Sequence, residues 1–415
     1  MYVAGVGMTD LGKFVNKSVK DLVREAVTAA LTDADINMTD VDGAWFANSR
    51  QGQMEGQNSI RGQCALRAMR WEVTPIINVE NACAGGSTSF NQAMVSILAD
   101  QCDIALAVGA DKLFYPNKKA EMFKAFNGGT DVHLVEETFN RLTRLGKSIV
   151  PSGIEDDMRI GAPGRSFFMD LYAGMARQHM ARFGTTAEQI AASAAKNHTH
   201  SQFNPRAQYQ SPMTVEQVMA EPAVVWPLTR PMCAPMSDGA AAVVLFSERA
   251  LQRRGSRRAI KISSSVIVTG SNREPDDYDR HTGRIAAQRA YEKAGIGPED
   301  MSLAEVHDAT SFAEILQIEN LGLCARGDGG PTTASGETTL GGRVPVNVSG
   351  GLVSKGHPIG ATGLVMIHDV TRQLRGEAGP AQVEGARIGV VENGGGFVGV
   401  EEAATAVHVL GPRVH

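Results

Sequence analysis

Apolar residues follow two rhythms along this chain. Short runs of about four to eight residues, rich in Val, Ile and Ala, read as strands buried on both faces. Between them apolar positions recur every three or four residues, the spacing of a helix with one packed face. Two passages repeat one order of these patterns: "TPIINVENACAGGSTSFNQAMVSILADQ" followed by "DIALAVGADKL", and "VPVNVSGGLVSKGHPIGATGLVMIHDVTRQLRG" followed by "RIGVVENGGGFVGVE". Each predicts a strand, a turn of small residues, an amphipathic helix and a second strand. In the first helix Phe90, Met94, Ile97 and Leu98 share a face; in the second, Leu364, Ile367, Thr371 and Leu374 do.

This repetition predicts an α/β protein written as two related halves. A strand pattern ends over Ala240 to Phe246 and another begins over Ile260 to Val266. The basic, loop-like link between them places the boundary near residue 255, giving halves 1–255 and 256–415. Residues from about 112 to 230 are more polar and less periodic, as expected of an insertion that builds binding surface. A chain of 415 residues is also longer than one ordinary core supports.

Composition narrows the partners. The net charge of −5, with Lys and Arg scattered, gives no basic patch for nucleic acid or an anionic membrane. The start, "MYVAGVGMTDLGKF", lacks a basic segment followed by an apolar one, and no apolar run approaches membrane-spanning length. The end, "HVLGPRVH", carries no targeting or lipidation signal. Five dispersed cysteines without a CxxC pair argue against a disulfide framework or a cysteine-rich zinc site and predict a cytoplasmic protein.

Candidate chemistry concentrates in the two small-residue turns. Cys83 lies in "NVENACAGGSTSF", between a strand and a helix. Such turns place side chains at the carboxyl edge of a sheet, where backbone N–H groups and the helix dipole favour a thiolate. Ala84, Gly85 and Gly86 leave room for a substrate carbonyl. A thiolate nucleophile needs a base and an oxyanion site. His357 sits at the corresponding turn of the second repeat, and His307 lies in "EVHDATSFAEI". If the halves pair about a pseudo-twofold, both turns open onto one cleft. Alone, each of these residues reads more readily as a buried structural group. His198 and His200 in "KNHTH" have no convincing third ligand and read as solvated or hydrogen-bonded.

Six ordered pieces carry a resemblance: "VAGVGMTDLGKF", "NVENACAGGS", "KNHTHSQFNPRAQYQ", "PMCAPMSDGAAAVVL", "VHDATSFAEILQIENLGL" and "NVSGGLVSKGHPIGATG". Over essentially its whole length the chain resembles the thiolase superfamily, and within it the sterol-carrier-protein-type, lipid-transfer-protein-like thiolases. The resemblance implies a duplicated five-layered αβαβα fold with an inserted loop domain and at least a homodimer. It implies Cys83 as the acyl-accepting nucleophile. His357 would activate the thiol and, with His307, polarise the thioester enolate oxygen. The amides of Cys83 and Gly394 would form a second oxyanion hole for the tetrahedral acyl intermediate. No metal or tightly bound cofactor is implied, and CoA is a substrate.

The chain departs from the family at one function. Most thiolases move a proton at the substrate α-carbon with a second cysteine in a Cys-x-Gly motif; here "VVENGGGF" has Glu392 in its place. Sterol-carrier-type relatives can supply the thiol from a His-Asp-Cys-Phe motif, but here "HDAT" has Ala309. Three readings stay open: Glu392 is the acid/base, the departing carbon needs no protein acid, or Glu392 points away and braces the glycine turn. Cleavage only protonates a leaving enolate, so thiolysis of a 3-oxoacyl-CoA is the easier direction to support. Some relatives in this branch act on bulky, aryl or branched substrates, and several pair with a small OB-fold, zinc-ribbon subunit that this chain does not contain. The competing readings are a retro-aldolase acting on a β-hydroxyacyl-CoA and a non-catalytic acyl-CoA-binding or scaffold homologue.

Overall fold

The computed structural model describes residues 1–154 and 156–413, so Val414 and His415, the last of the expected second half, lie outside the described residues. In chain order the strands are β1 (Tyr2–Met8), β2 (Gly43–Ala47), β3 (Ile76–Val79), β4 (Ile104–Asp111), β5 (Ala223–Val225), β6 (Leu228–Thr229), β7 (Gly239–Phe246), β8 (Ile260–Thr269), β9 (Leu303–Glu305), β10 (Gly389–Gly395) and β11 (Ala404–Arg413). β5 and β6 form a separate hairpin. The other nine strands join in one sheet in the order β3-β2-β4-β7-β1-β8-β11-β10-β9.

One pairing scheme runs inward from each end. β3, β2 and β4 are parallel, and β4-β7 and β7-β1 antiparallel. From the other end β9-β10 is parallel, and β10-β11 and β11-β8 antiparallel. The two series meet where Tyr2 and Val3 pair with Lys261 and Ile260. The strand expected at the start of the second repeat is reduced to a single parallel bridge, Ala304 to Val346. Pro345 has no N–H to give a ladder, and Asn347 turns into the left-handed region at φ 53°.

Helices complete the layers. The Cys83-side helix Gly85–Leu98 and the His357-side helix Thr362–Arg375 share one core with strand residues of both series, including Val6, Ala107, Val243, Leu303 and Val391. Helix Val19–Asp33 covers the outer face of the first series, and helix Thr282–Ala294 that of the second. The paired helices thus lie against the inner face of both series, and one further helix covers the outer face of each. Of the expected helix faces, Phe90, Met94 and Ile97 are buried but Leu98 is 63% exposed. Leu364, Ile367, Thr371 and Leu374 are all buried.

Two sequence expectations are corrected by local chemistry. The supposed loop after β7 contains the helix Glu248–Arg254: Ser247 accepts from the Ala250 N–H at 3.0 Å and caps it, and left-handed Gly255 ends it. Residues 112–230 hold more regular structure than their weak periodicity suggested, including helices Phe167–Phe183 and Ala187–Ser201. These two pack with helix Ser311–Asn320 in a core of their own. Burial on several sides removes the one-faced periodicity that reveals a surface helix. No helix among the described residues is long and apolar enough to cross a membrane.

Candidate active site

Cys83 stands in a 3₁₀ turn, Ala82–Ala84, between β3 and the helix Gly85–Leu98. The turn is strained: Ala82 has φ 49°, a left-handed conformation costing an Ala about 1–2 kcal/mol. Glu80 holds it by accepting the Ala82 N–H at Oε1, 2.7 Å away. On the opposite side lies the glycine turn after β10. A Cβ on Gly395 would stand 2.3 Å from Ala84 N and 2.2 Å from Asn81 O, so only glycine lets the two turns touch. The backbone amide of Gly396 faces the Cys83 sulfur and favours its ionised form.

His357 comes from the turn before helix Thr362–Arg375. Its backbone N–H donates to Ser237 Oγ at 2.9 Å, and its Nδ1 meets Thr362 Oγ1 at 2.7 Å. Thr362 also donates to the Pro358 carbonyl at 3.3 Å. The tautomer that gives Nδ1–H to Thr362 leaves Nε2 bare, the form a base requires. His307 follows β9, and its Nδ1 receives an N–H from Asn393 Nδ2 at 2.9 Å. That amide is oriented by its neighbours: Asn393 Oδ1 accepts from Ser87 Oγ at 2.9 Å while Nδ2 also reaches the Gly394 carbonyl at 3.3 Å. His307 therefore carries its proton on Nε2 and can donate it.

The structure brings the three sequence-predicted groups together. Cys83 Sγ and a ring nitrogen of each of His307 and His357 lie within 4.8 Å of one another. The rings stand edge to face, 5.1 Å between centroids. Sulfur with two imidazole nitrogens is also a donor set that suits a zinc-like ion, and among the described residues it is the one such cluster. Gly394 lies in the wall beside them. Glu392 is elsewhere: fully buried, it accepts the His307 N–H at Oε2, 3.0 Å, and does not line the cavity.

Burial sets the resting charges. It pushes the Cys83 thiol up to about 12, partly opposed by the Arg50 cation, so the thiol rests neutral despite the helix terminus behind it. Removing the sulfur from water outweighs the dipole that favoured a thiolate in the sequence reading. Burial also lowers His307 to about 4 and drives His357 well below the ordinary imidazole value, helped by His307 and Arg50. Near neutral pH the site holds one thiol and two neutral imidazoles. A proton can pass from sulfur to His357 without an ion pair present beforehand.

These groups open into a cavity of about 1080 Å³. Apolar walls come largely from the insertion: Phe123, Phe126, Phe168, Met169, Tyr172 and Met213. Lys13, Lys119 and Arg230 stand exposed at its margin. His198 lines it but is held by Ser354 Oγ at 3.0 Å and Pro231 O at 3.2 Å. His200 is buried between Asn347 O and Leu340 N, both at 3.0 Å. Both histidines are hydrogen-bonded, and neither is solvated as the sequence reading allowed.

Sequence reasoning missed the residues that support this set. Asn393 and Thr362 fix the histidine tautomers. Asp111, at the end of β4, accepts N–H groups from Arg50 at 2.9 Å and Gly360 at 2.6 Å and so ties the His357 turn to the first half. A buried Asp closing a strand was the available signal. Asp308, next to His307, accepts from Leu352 N at 2.6 Å and Asn197 Nδ2 at 2.8 Å.

Comparison with known proteins agrees with the fold. The thiolase N-terminal domain model matches residues 1–225 and the thiolase C-terminal domain-like model residues 268–411. The chain is 36% identical to acetyl-CoA acetyltransferase of Methanothermobacter thermautotrophicus, covering 98% of each chain. It is 35% identical to sterol carrier protein 2 of Bos taurus, over 95% of this chain and 69% of that one. It is 32% identical to benzoylsuccinyl-CoA thiolase subunit BbsB of Thauera aromatica, over 92% and 91%. Among solved structures, the Ltp2-ChsH2(DUF35) aldolase matches with a TM-score of 0.75 at 23% identity over 99% and 97%, a likeness of fold.

Proposed function

The chain belongs to the thiolase family and is an acyltransferase of that family; on that premise we propose that it cleaves a 3-oxoacyl-CoA with CoA, through an acyl group carried on Cys83. The observation that carries this reading is the convergence of the Cys83 sulfur and the two imidazoles within 4.8 Å. His357 Nε2 takes the thiol proton as sulfur attacks the 3-oxo carbon. The Cys83 and Gly394 amides hold the tetrahedral oxyanion. The Cα–Cβ bond then breaks toward an acyl-CoA enolate whose oxygen meets the His307 Nε2–H. Each such donor contributes about 2.7–4 kcal/mol to the rate. CoA enters as the second substrate and removes the acyl group.

The substrate we infer is bulky, aryl or branched. Support comes from the volume and aromatic walls of the cavity, and from the relative whose name is benzoylsuccinyl-CoA thiolase subunit BbsB. The exposed cations at the margin suit an anionic CoA thioester. Our reading also includes the two halves 1–255 and 256–415, a homodimer, a cytoplasmic setting consistent with five unpaired cysteines, and a small companion subunit of the OB-fold, zinc-ribbon kind.

Intact-protein mass spectrometry tests the central claim. Wild type and Cys83→Ala are mixed with 3-oxoacyl-CoAs of increasing bulk, without free CoA. An acyl adduct is expected on wild type alone, and its mass identifies the group retained. Thiolysis persisting in Cys83→Ala would refute the mechanism.

A further inference from the structure

With neither second cysteine present, the proton that the leaving enolate needs must come from another group. Ala309, which stands where a relative's thiol would be, presents only a methyl to the cavity. Glu392 is turned to the His307 backbone and lies off the cavity. A different carboxyl does line it. Glu402, in the return from β10 to β11, is 3% exposed and shares the cavity wall with Cys83, His307, Tyr172 and the glycine turn. It lies against Gly394, its Oε1 3.4 Å from the point a Cβ there would occupy.

The carboxyl is held but not consumed. Oε1 accepts from Gln317 Nε2 at 3.3 Å, and Oε2 is buried with no hydrogen-bond partner. His281 Nε2, also unpartnered, stands 3.8 Å away. Burial and the neighbouring Glu401 raise this carboxyl from its ordinary value to about 7, against the pull of Arg273 and Gln317. The other titratable groups facing it are Tyr172, from the insertion, and Glu392. Near neutral pH Glu402 can therefore hold a proton or release one, as a group that both gives and takes must.

We propose that Glu402 is the acid/base at the substrate α-carbon. The assignment rests on the thiolase reading above. In the first half-reaction the Cys83 proton goes to His357, sulfur bonds to the 3-oxo carbon and the Cα–Cβ bond breaks. Its electron pair stays on the α-carbon, and the Glu402 carboxyl protonates that carbon to give the first acyl-CoA. In the second half-reaction the Glu402 carboxylate takes the CoA thiol proton and CoA sulfur attacks the acyl-Cys83 carbonyl. Cys83 leaves and recovers its proton from His357, which returns every group to its starting state.

The test is single-turnover formation of the Cys83 adduct, using whichever 3-oxoacyl-CoA labels wild type, with deuterium incorporation into the released acyl-CoA measured in D₂O. Glu402→Gln should slow both about a hundredfold or more. By microscopic reversibility it should also slow acylation of Cys83 by a simple acyl-CoA, which is the second half-reaction run backwards with Glu402 protonating the departing CoA sulfur. Glu402→Asp keeps a carboxyl and should retain at least a tenth of the wild-type rate. The wild-type rate should fall as pH rises through about 7, where the required acid is lost, and Glu402→Asp should move that fall. Cleavage by Glu402→Gln within threefold of wild type, or equal loss in the Gln and Asp variants, overturns the assignment. Absence of any adduct on wild type defeats the thiolase reading itself, a result distinct from either.

Discussion

Asn393 decides which nitrogen of His307 bears the proton. Its amide N–H, 2.9 Å from Nδ1, forces the imidazole to keep hydrogen on Nε2 and face the enolate as a donor. An aspartate there would accept from Nδ1–H and leave Nε2 bare, the wrong tautomer for an oxyanion hole. Asn393→Asp should therefore lower C–C cleavage about 10²–10³-fold, with Cys83 still acylated by a simple acyl-CoA. A cleavage rate within threefold of wild type would contradict this account of His307. Cys83, His307 and His357 were legible because each sits in a motif whose small neighbours mark a turn. Asn393 was not, since one Asn in a strand has many uses and only the fold shows what it touches. Glu402 was hidden by the adjacent Glu401, which instead accepts from Arg273 Nε at 2.6 Å.

At the scale of elements, the site depends on how closely the second turn lies against β4. A Cβ on Gly109 would stand 2.4 Å from Gly360 O and 2.8 Å from Ala361 Cα, both backbone atoms that cannot swing aside. Gly109→Ala should cost about 1–3 kcal/mol through overpacking, read as a lower urea midpoint. It should also slow Cys83 acylation, because the turn it pushes carries His357. Stability and acylation both unchanged would show that the contact does not position the base. The same elements show what periodicity reveals. The second repeated helix was readable from the apolar spacing of Leu364, Ile367 and Leu374, although nearly all of its residues are buried. The strand before the second turn was over-read: "VPVNV" has the composition of a strand, but Pro345 and the left-handed Asn347 leave it one bridge. The short helix after β7 was missed because its Arg-rich face looks like a loop, while Ser247 and Gly255 carried the capping signal.

For the whole molecule, the two ends of the nine-stranded sheet differ. Beyond β9 the chain at Val346 covers the edge. At the other end β3 pairs only with β2 among the described strands, leaving one side of its backbone open. Exposed apolar side chains gather on and near that edge: Ile77 at 41%, Val95 at 43%, Leu98 at 63% and Val73 at 103%. This explains why Leu98 continues the apolar stripe of its helix without reaching the core of its own chain. An open strand edge is a template for another strand, and a two-fold copy satisfies it with the same residues on both sides. The proposed homodimer is therefore predicted to use β3. Sedimentation should give twice the 44.1 kDa chain mass for wild type. Ile77→Lys, which places a charge on the open edge, should shift the protein toward the single-chain mass. Because β3 leads directly into the Cys83 turn, loss of the dimer should also lower acylation of Cys83 in the same samples. Wild type sedimenting as a single chain at micromolar concentration would refute the homodimer, and Ile77→Lys remaining dimeric would place the interface elsewhere.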